Sequence, residues 1–335
     1  MPLIEIRDLV VDFDTGKRVV RALHGIDLAL ERGESLGLVG ESGCGKSVTW
    51  LAALGLLGPR ARVQGDVRLE GMPLLGADAR QLERVRGRRI AMIFQDPTSS
   101  LNPVHRIGTQ LAEALVLHRG MNDRSAWTEA RRLLDRVGIA NAAQRLNDYP
   151  HQLSGGMNQR VMIAMALAGE PDVLIADEPT TALDATIQAQ ILDLLRSLRD
   201  DGGMALVLIS HDLGVVAENC QRIAVMYCGR IVETATVADL FAHPAHPYTR
   251  GLLAALPEME GPVRRLEPIP GSVPEPWNLP PGCAFEPRCL HARGECRTSM
   301  PTPRRVAAGH SAACVRFGAL VSDQAPQGTR LREVA

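Results

Sequence analysis

Apolar and polar residues alternate along residues 3–13 and 26–30, as in Leu3-Ile4-Glu5-Ile6 and Ile26-Asp27-Leu28, which predicts strands with one buried face. From Ser35 the pattern changes to a continuous short run, Ser35-Leu36-Gly37-Leu38-Val39, expected of a strand covered on both faces. A glycine-rich turn begins at Gly40, and Ser47–Leu57 is apolar enough to form a helix packed on a sheet. Residues 106–170 are rich in Ala, Leu, Arg and Glu at helical spacing, with Leu111, Ala114 and Leu115, then Leu133, Leu134 and Val137. This stretch predicts a helical subdomain inserted between sheet strands. Two further buried strands, Val173–Asp177 and Met204–Ser210, flank a helix over about 186–200. Alternating strands and helices of this kind predict an α/β fold with a mostly parallel sheet and helices on its faces.

The pattern breaks after about residue 241. Eleven of the 22 prolines lie between Pro257 and Pro303, so that segment is neither regular helix nor central strand. It has little periodicity of its own and is expected to depend on a cross-link. Four of the seven cysteines, Cys283, Cys289, Cys296 and Cys314, fall there, whereas Cys44, Cys220 and Cys228 are scattered. The longest uncharged run, Ser47–Pro59, is 13 residues and too short to span a bilayer. The N-terminus lacks the charged-then-apolar shape of a signal peptide, so the chain is expected in the cytosol. In a reducing compartment four late cysteines suit a metal site better than a disulfide framework.

Composition adds two points. The chain is 45% hydrophobic and 22% charged with a formal net charge of -1, which fits a folded globular protein and argues against an electrostatic nucleic-acid clamp. Only Lys17 and Lys46 among its 37 Lys and Arg residues are lysine. Codon bias accounts for that scarcity in general but says nothing about where a lysine must remain.

One retained lysine sits in a motif. Gly40-Glu41-Ser42-Gly43-Cys44-Gly45-Lys46-Ser47 matches G-x-x-x-x-G-K-[ST], with a strand expected before and a helix after. With 31 glycines and two lysines in the chain, a shuffled sequence would contain the pattern roughly once in 1,000 trials. The glycines let successive N–H groups face phosphate oxygens, and the helix N-terminus adds partial positive charge. Lys46 then reaches the β and γ phosphates, and the Ser47 hydroxyl is placed for Mg²⁺. The apolar strand Val173–Asp177 runs straight into a pair of carboxylates, which suggests division of labour: Asp177 on the metal and Glu178 polarising an attacking water. His211 closes the next apolar strand in the same way, placed to contact a γ-phosphate or orient the water.

Leu153-Ser154-Gly155-Gly156-Met157-Asn158-Gln159-Arg160, after the phosphate loop and before Asp177-Glu178, resembles the signature of ATP-binding-cassette (ABC) ATPases. The resemblance covers about residues 3–240. It implies an ABC-type P-loop ATPase with a RecA-like core over residues 1–240 and a helical subdomain over about 96–165. It also implies an ATP site shared between two cassettes packed head to tail. Gly40, Ser42, Gly43, Cys44, Gly45, Lys46 and Ser47 would hold ATP on one side; Ser154, Gly155, Gly156 and Asp184, the last in Ala182-Leu183-Asp184, would close from the other. Gln95 resembles the residue that senses Mg²⁺ and the transmembrane partner, His211 the switch histidine, and Phe13 the aromatic that stacks on adenine. Mg²⁺ would then be met by Ser47, Gln95 and Asp177.

The flanks narrow the resemblance. Phe94-Gln95-Asp96-Pro97-Thr98-Ser99-Ser100-Leu101-Asn102-Pro103, His246-Pro247-Tyr248-Thr249-Arg250 and the segment from Pro281-Gly282-Cys283 to Cys289 resemble the dipeptide/oligopeptide and nickel importer branch. Residues 241–335 would form its Pro- and Cys-rich C-terminal extension. That branch implies a heterodimer with a second ABC ATPase, two transmembrane permease subunits, an extracytoplasmic substrate-binding protein acting indirectly, and no nucleic-acid partner. The chain would sit peripherally on the cytoplasmic face of the inner (plasma) membrane and power peptide import. Import of nickel or another small solute, and a soluble non-transport ABC ATPase, are the alternatives.

The spacing Cys283-x5-Cys289-x6-Cys296-x17-Cys314 lacks the short C-x2-C of zinc ribbons. Four thiolates in a loop-rich segment suit a [4Fe-4S] cluster, zinc, or no metal at all; similar members of the branch carry the cluster in this tail. His310 is a further possible ligand.

Overall fold

The computed structural model describes residues 1–96, 100–181, 183–256 and 268–317. Pro97, Thr98 and Ser99, assigned from sequence to the helical subdomain, lie outside them, as do Ala182 and residues 257–267 and 318–335. The chain opens with strands β1 (Ile4–Asp14), β2 (Val19–Leu30) and β3 (Ser35–Val39), then helix α1 (Lys46–Ala53), β4 (Ala61–Leu69), β5 (Met72–Pro73), α2 (Ala79–Val85) and β6 (Ile90–Ile93). Four helices follow, α3 (Ile107–Arg119), α4 (Asp123–Arg136), α5 (Ala142–Arg145) and α6 (Gly155–Leu167). Then come β7 (Val173–Asp177), α7 (Ala185–Gly202), β8 (Ala205–Ser210), α8 (Leu213–Asn219), β9 (Arg222–Tyr227) and β10 (Arg230–Thr236). The C-terminal part holds α9 (Val237–Ala242), α10 (Pro247–Ala254), α11 (Gly294–Thr298) and the hairpin β11 (Arg304–Ala307) and β12 (His310–Ala312).

These elements divide into two compact units. The first comprises Met1–Glu5, Ala29–Ser35 and Arg68–Ile209. Its strands β6, β7 and β8 run parallel, with Ile90 opposite Val173 and Asp177 opposite Ile209. Every residue of β7 is buried, as its unbroken Val-Leu-Ile-Ala run requires of a strand covered on both faces. The inserted helices expected from sequence are present: α3 and α4 bury Leu111, Leu115, Leu133 and Leu134. Asn122 starts α4 by accepting the N–H of Ser125 at 3.0 Å. Arg32 and Arg89 both pair with Glu70 and Asp172, tying the 29–35 segment to the start of β7.

The second unit comprises Ile6–Leu28, Leu36–Val67 and Ser210–Ala335. There β3 runs parallel to β9, with Val39 opposite Val225, and β9 turns back antiparallel to β10. The turn is Cys228-Gly229, both at positive φ (45° and 73°), the geometry of a two-residue hairpin loop. Helix α1 stops at Ala53, short of the expected Leu57, because the chain turns back on itself: Gly55 N–H returns to Ala52 O and Leu56 N–H to Leu51 O.

Beyond β10 the chain continues the same sheet edge. β12 pairs with β10 through Glu233–Ala312 and Thr234–Ser311, and β11 lies outside it. A bulge between Ile231 and Glu233 turns the Glu233 side chain inward, where it is buried. Its carboxylate accepts the N–H groups of Ala245 (2.7 Å) and His246 (2.8 Å) and meets His310 Nε2 at 2.8 Å. His310, named above as a further possible ligand, thus has its Nε2 engaged by Glu233. Among the described residues no helix is long and apolar enough to cross a membrane.

Candidate nucleotide site and the cysteine-bearing extension

The phosphate loop belongs to the second unit and joins β3 to α1. Gly45 adopts φ 105°, which a side chain would strain. Gly40 is required by space: a Cβ there would lie 2.2 Å from the carbonyl oxygen of Met226. The loop thus lies hard against β9. Lys46 is buried, and its ammonium donates back to the loop, to Gly40 O at 2.7 Å and Glu41 O at 3.3 Å. Ser42 and Gly43 are exposed at the rim. Burial raises the pKa of the Cys44 thiol, which keeps the side chain a neutral thiol. Phe13 lies half-buried on β1, and Lys17 is exposed in the β1–β2 turn. His211 is exposed directly after β8, and the following Asp212 caps α8 by accepting from Gly214 N at 2.8 Å.

The carboxylate pair belongs to the first unit. Asp177 ends β7 and is buried. Glu178 has φ 47°, a left-handed conformation that a non-glycine residue adopts at a cost of about 1 kcal/mol or more. Its backbone N–H is held by Ile209 O at 3.0 Å. Its carboxylate accepts from Gln95 Nε2 (3.1 Å) and from Thr181 Oγ1 (3.0 Å). Strain, backbone anchor and two side-chain donors together fix where this carboxylate points. Gln95 and Glu178 were each expected from sequence, but their contact across 83 positions was not.

Ser154 and Asp184 prove to be helix caps. Ser154 Oγ accepts from Met157 N at 3.3 Å at the head of α6, and Asp184 Oδ1 accepts from Ile187 N at 2.9 Å at the head of α7. Gly155 and Gly156 form the first turn of α6, where N–H groups without helical partners and the helix dipole favour an anion.

In the extension, Cys283, Cys289, Cys296 and Cys314 line one cavity with His246, Phe285 and Pro301. Burial raises the Cys283 and Cys289 thiols and pushes Cys314 up to about 11, with the three other cysteines adding to the rise at Cys314. Such thiols repel one another once ionised, so this donor set suits a cationic group that compensates them. As the side chains stand, no group of three or more His, Cys, Asp or Glu among the described residues is arranged to hold a metal ion.

Comparison with known proteins is decisive about the family. A profile described as "ABC transporter" matches residues 23–181, and one described as "Oligopeptide/dipeptide transporter, C-terminal region" matches residues 232–296. The chain is 52% identical over 323 residues to the probable peptide ABC transporter ATP-binding protein y4tR of Sinorhizobium fredii, covering 96% of each. The chain belongs to the ABC transporter ATP-binding family. This ABC ATPase is also 46% identical to the oligopeptide transport ATP-binding protein AppD of Bacillus subtilis, covering 94% of this chain and 97% of that one. Among solved structures it resembles the dimeric ATP-binding cassette MJ0796 in a post-hydrolysis state bound to ADP and Pi, at 27% identity and a TM-score of 0.63, covering 70% of this chain and 98% of that one. It also resembles cbiO1 of Clostridium perfringens, part of the cbiONQ transporter complex, at 26% identity and a TM-score of 0.61, covering 72% and 91%. The fold is accordingly that of an ABC cassette.

Two contacts of the ABC ATPase were not expected from sequence. Thr181 joins Gln95 on the Glu178 carboxylate; only its position three residues on hints at this. Arg288, in the extension, is paired with Glu41 of the phosphate loop, 247 residues away.

Proposed function

We propose that this chain is the ATP-hydrolysing subunit of a peptide importer. It works on the cytoplasmic face of the inner (plasma) membrane, paired with a related ABC ATPase beneath two permease subunits that an extracytoplasmic binding protein supplies. The observation that carries this reading is the end-to-end match to peptide ABC transporter ATP-binding proteins in a chain whose phosphate loop and Glu178 are intact.

The chemistry follows from the residues. The N–H groups of Gly43 to Ser47 and the head of α1 bind the phosphates, and Lys46 exchanges its bonds to Gly40 O and Glu41 O for the β and γ oxygens. Glu178 polarises the attacking water, with Gln95 and Thr181 holding its carboxylate; His211 orients the water or meets the γ-phosphate. Ser47, Gln95 and Asp177 would hold Mg²⁺, which neutralises charge on the transferred phosphoryl group. Phe13 stacks on the base. Capping α6 uses an acceptor lone pair of Ser154 and leaves its O–H as the group that meets a phosphate of the partner's ATP, beside the N–H groups of Gly155 and Gly156. Asp184 crosses the same interface. ATP binding draws the two cassettes together, hydrolysis lets them part, and the permease follows. Cys283, Cys289, Cys296 and Cys314 would ligate a [4Fe-4S] cluster whose role is to hold the proline-rich extension in shape.

The test is Glu178→Gln. The variant should bind ATP, lose turnover and accumulate as a closed dimer. Hydrolysis at the wild-type rate would overturn the assignment. Isolation from native membranes should bring permease subunits with the protein; ribosomes in their place would contradict transport.

A further inference from the structure

The extension reaches the phosphate loop itself. Arg288 ends the short turn Glu286–Arg288, between Cys283 and Cys289 and directly before the latter. Its side chain is 4% exposed and grips Glu41, the second residue of the loop, by two bonds: Nη1 to Oε2 at 2.7 Å and Nη2 to Oε1 at 3.0 Å. Nε donates to Pro270 O at 3.0 Å, and Nη1 lies 3.3 Å from the Tyr227 hydroxyl. The backbone of Glu41 is held too, its N–H donating to the Tyr248 hydroxyl at 3.0 Å. Phe285 packs edge-on against Tyr227 and tilted against Tyr248, at ring separations of 5.3 and 5.4 Å. Both backbone and side chain of one loop residue are therefore fixed by groups that lie on, or pack against, the extension. Glu41 O is also one of the two carbonyls that hold Lys46.

The charge arrangement gives this contact a consequence. A carboxylate in a loop built to bind phosphates repels them unless it is neutralised. Arg288 neutralises it, and Arg288 lies between Cys283 and Cys289, two of the four cysteines that line one cavity. Resting on the reading that this loop binds ATP, we propose that Arg288 is a positioning residue through which the four-cysteine extension sets the nucleotide affinity of the phosphate loop. Disrupting the four-cysteine cavity frees Arg288, leaves Glu41 uncompensated and weakens nucleotide binding.

The experiment titrates a fluorescent ATP analogue into the full chain, purified anaerobically. Arg288→Ala should weaken binding about tenfold. Adding Glu41→Gln to it should restore affinity to within about twofold of wild type, since the repelling charge is then gone. A purely structural role for Arg288 would leave the double variant as weak as the single one. Cys289→Ser should weaken binding in the wild-type chain but not in the Glu41→Gln chain, and this pair carries the test if Arg288→Ala does not fold. Unchanged affinity in either Arg288→Ala or Cys289→Ser, or no rescue by Glu41→Gln, overturns the proposal. A wild-type chain that binds no nucleotide would instead overturn the ATP-site reading on which it rests.

Discussion

Gly40→Ala isolates what the phosphate loop requires. The added methyl would lie 2.2 Å from Met226 O, 2.8 Å from Cys44 Sγ and 3.2 Å from the Met226 carbonyl carbon. An ordinary contact begins about 1.2 Å farther out than the first of these. Met226 cannot give way cheaply: it is fully buried on β9, whose neighbouring Val225 lies opposite Val39 of β3. The loop must therefore move by about 1 Å, carrying the N–H groups of Gly43 to Ser47 off their phosphate positions. A misplacement of that size costs about a hundredfold in a positioned reaction, equivalent to about 2.7 kcal/mol. Nucleotide binding by fluorescence titration and steady-state ATP hydrolysis are the assays, with circular dichroism to show that the fold persists. Gly58→Ala is the control, because a Cβ there meets nothing within 4 Å. An affinity in Gly40→Ala within twofold of wild type would refute the steric argument.

Lys46→Arg should abolish hydrolysis although charge is kept, because a planar fork replaces the compact ammonium seated 2.7 Å from Gly40 O; activity above a tenth of wild type would contradict this. His246, buried and accepting from Tyr248 N at 3.0 Å, has its pKa lowered to about 4 by burial, so it stays neutral in the fold while the unfolded chain binds a proton below about 6.5. Stability from this residue is therefore full above pH 6.5 and falls by about 3 kcal/mol as pH drops to 4. His246→Asn keeps an acceptor at the head of α10 but does not titrate, so urea unfolding should show the wild type losing ground to it over that window; parallel pH profiles would contradict the linkage. Glu233→Ala strands three buried donors and should cost about 3–6 kcal/mol of unfolding free energy, and a loss under about 1 kcal/mol would show that they find other partners. Protein purified without oxygen should be brown and contain iron; colourless protein with one equivalent of zinc would remove the cluster.

The sequence foretold elements wherever one local pattern had one explanation. The all-apolar strands β3, β7 and β8 declared themselves, as did the glycine turn between β3 and α1. Strand β4, Ala61–Leu69, is absent from the elements expected above although its sequence alternates strictly, with Ala61, Val63, Gly65, Val67 and Leu69 against Arg62, Gln64, Asp66 and Arg68; only Val67 and Leu69 are fully buried. The hairpin of β9 and β10 turns on Cys228-Gly229, without the Asn-Gly or Asp-Gly signal that marks such turns. Lys46 stood out because arginine replaces lysine almost everywhere else, and the structure gives the retained side chain a buried, fitted place. What no local pattern carries is a pairing between distant segments. Gln95 with Glu178, Glu233 with His310 and Arg288 with Glu41 join residues 83, 77 and 247 positions apart, and each exists only because the fold places the two partners together.

ATP-driven peptide uptake is the most direct test of the account. The chain, its partner ATPase and the two permeases would be reconstituted in vesicles with the binding protein on the opposite side. Labelled peptide should enter only with ATP on the cassette side, and uptake should vanish with Glu178→Gln. Uptake that persists without ATP or with that variant, or ATP hydrolysis that never moves peptide, would contradict it.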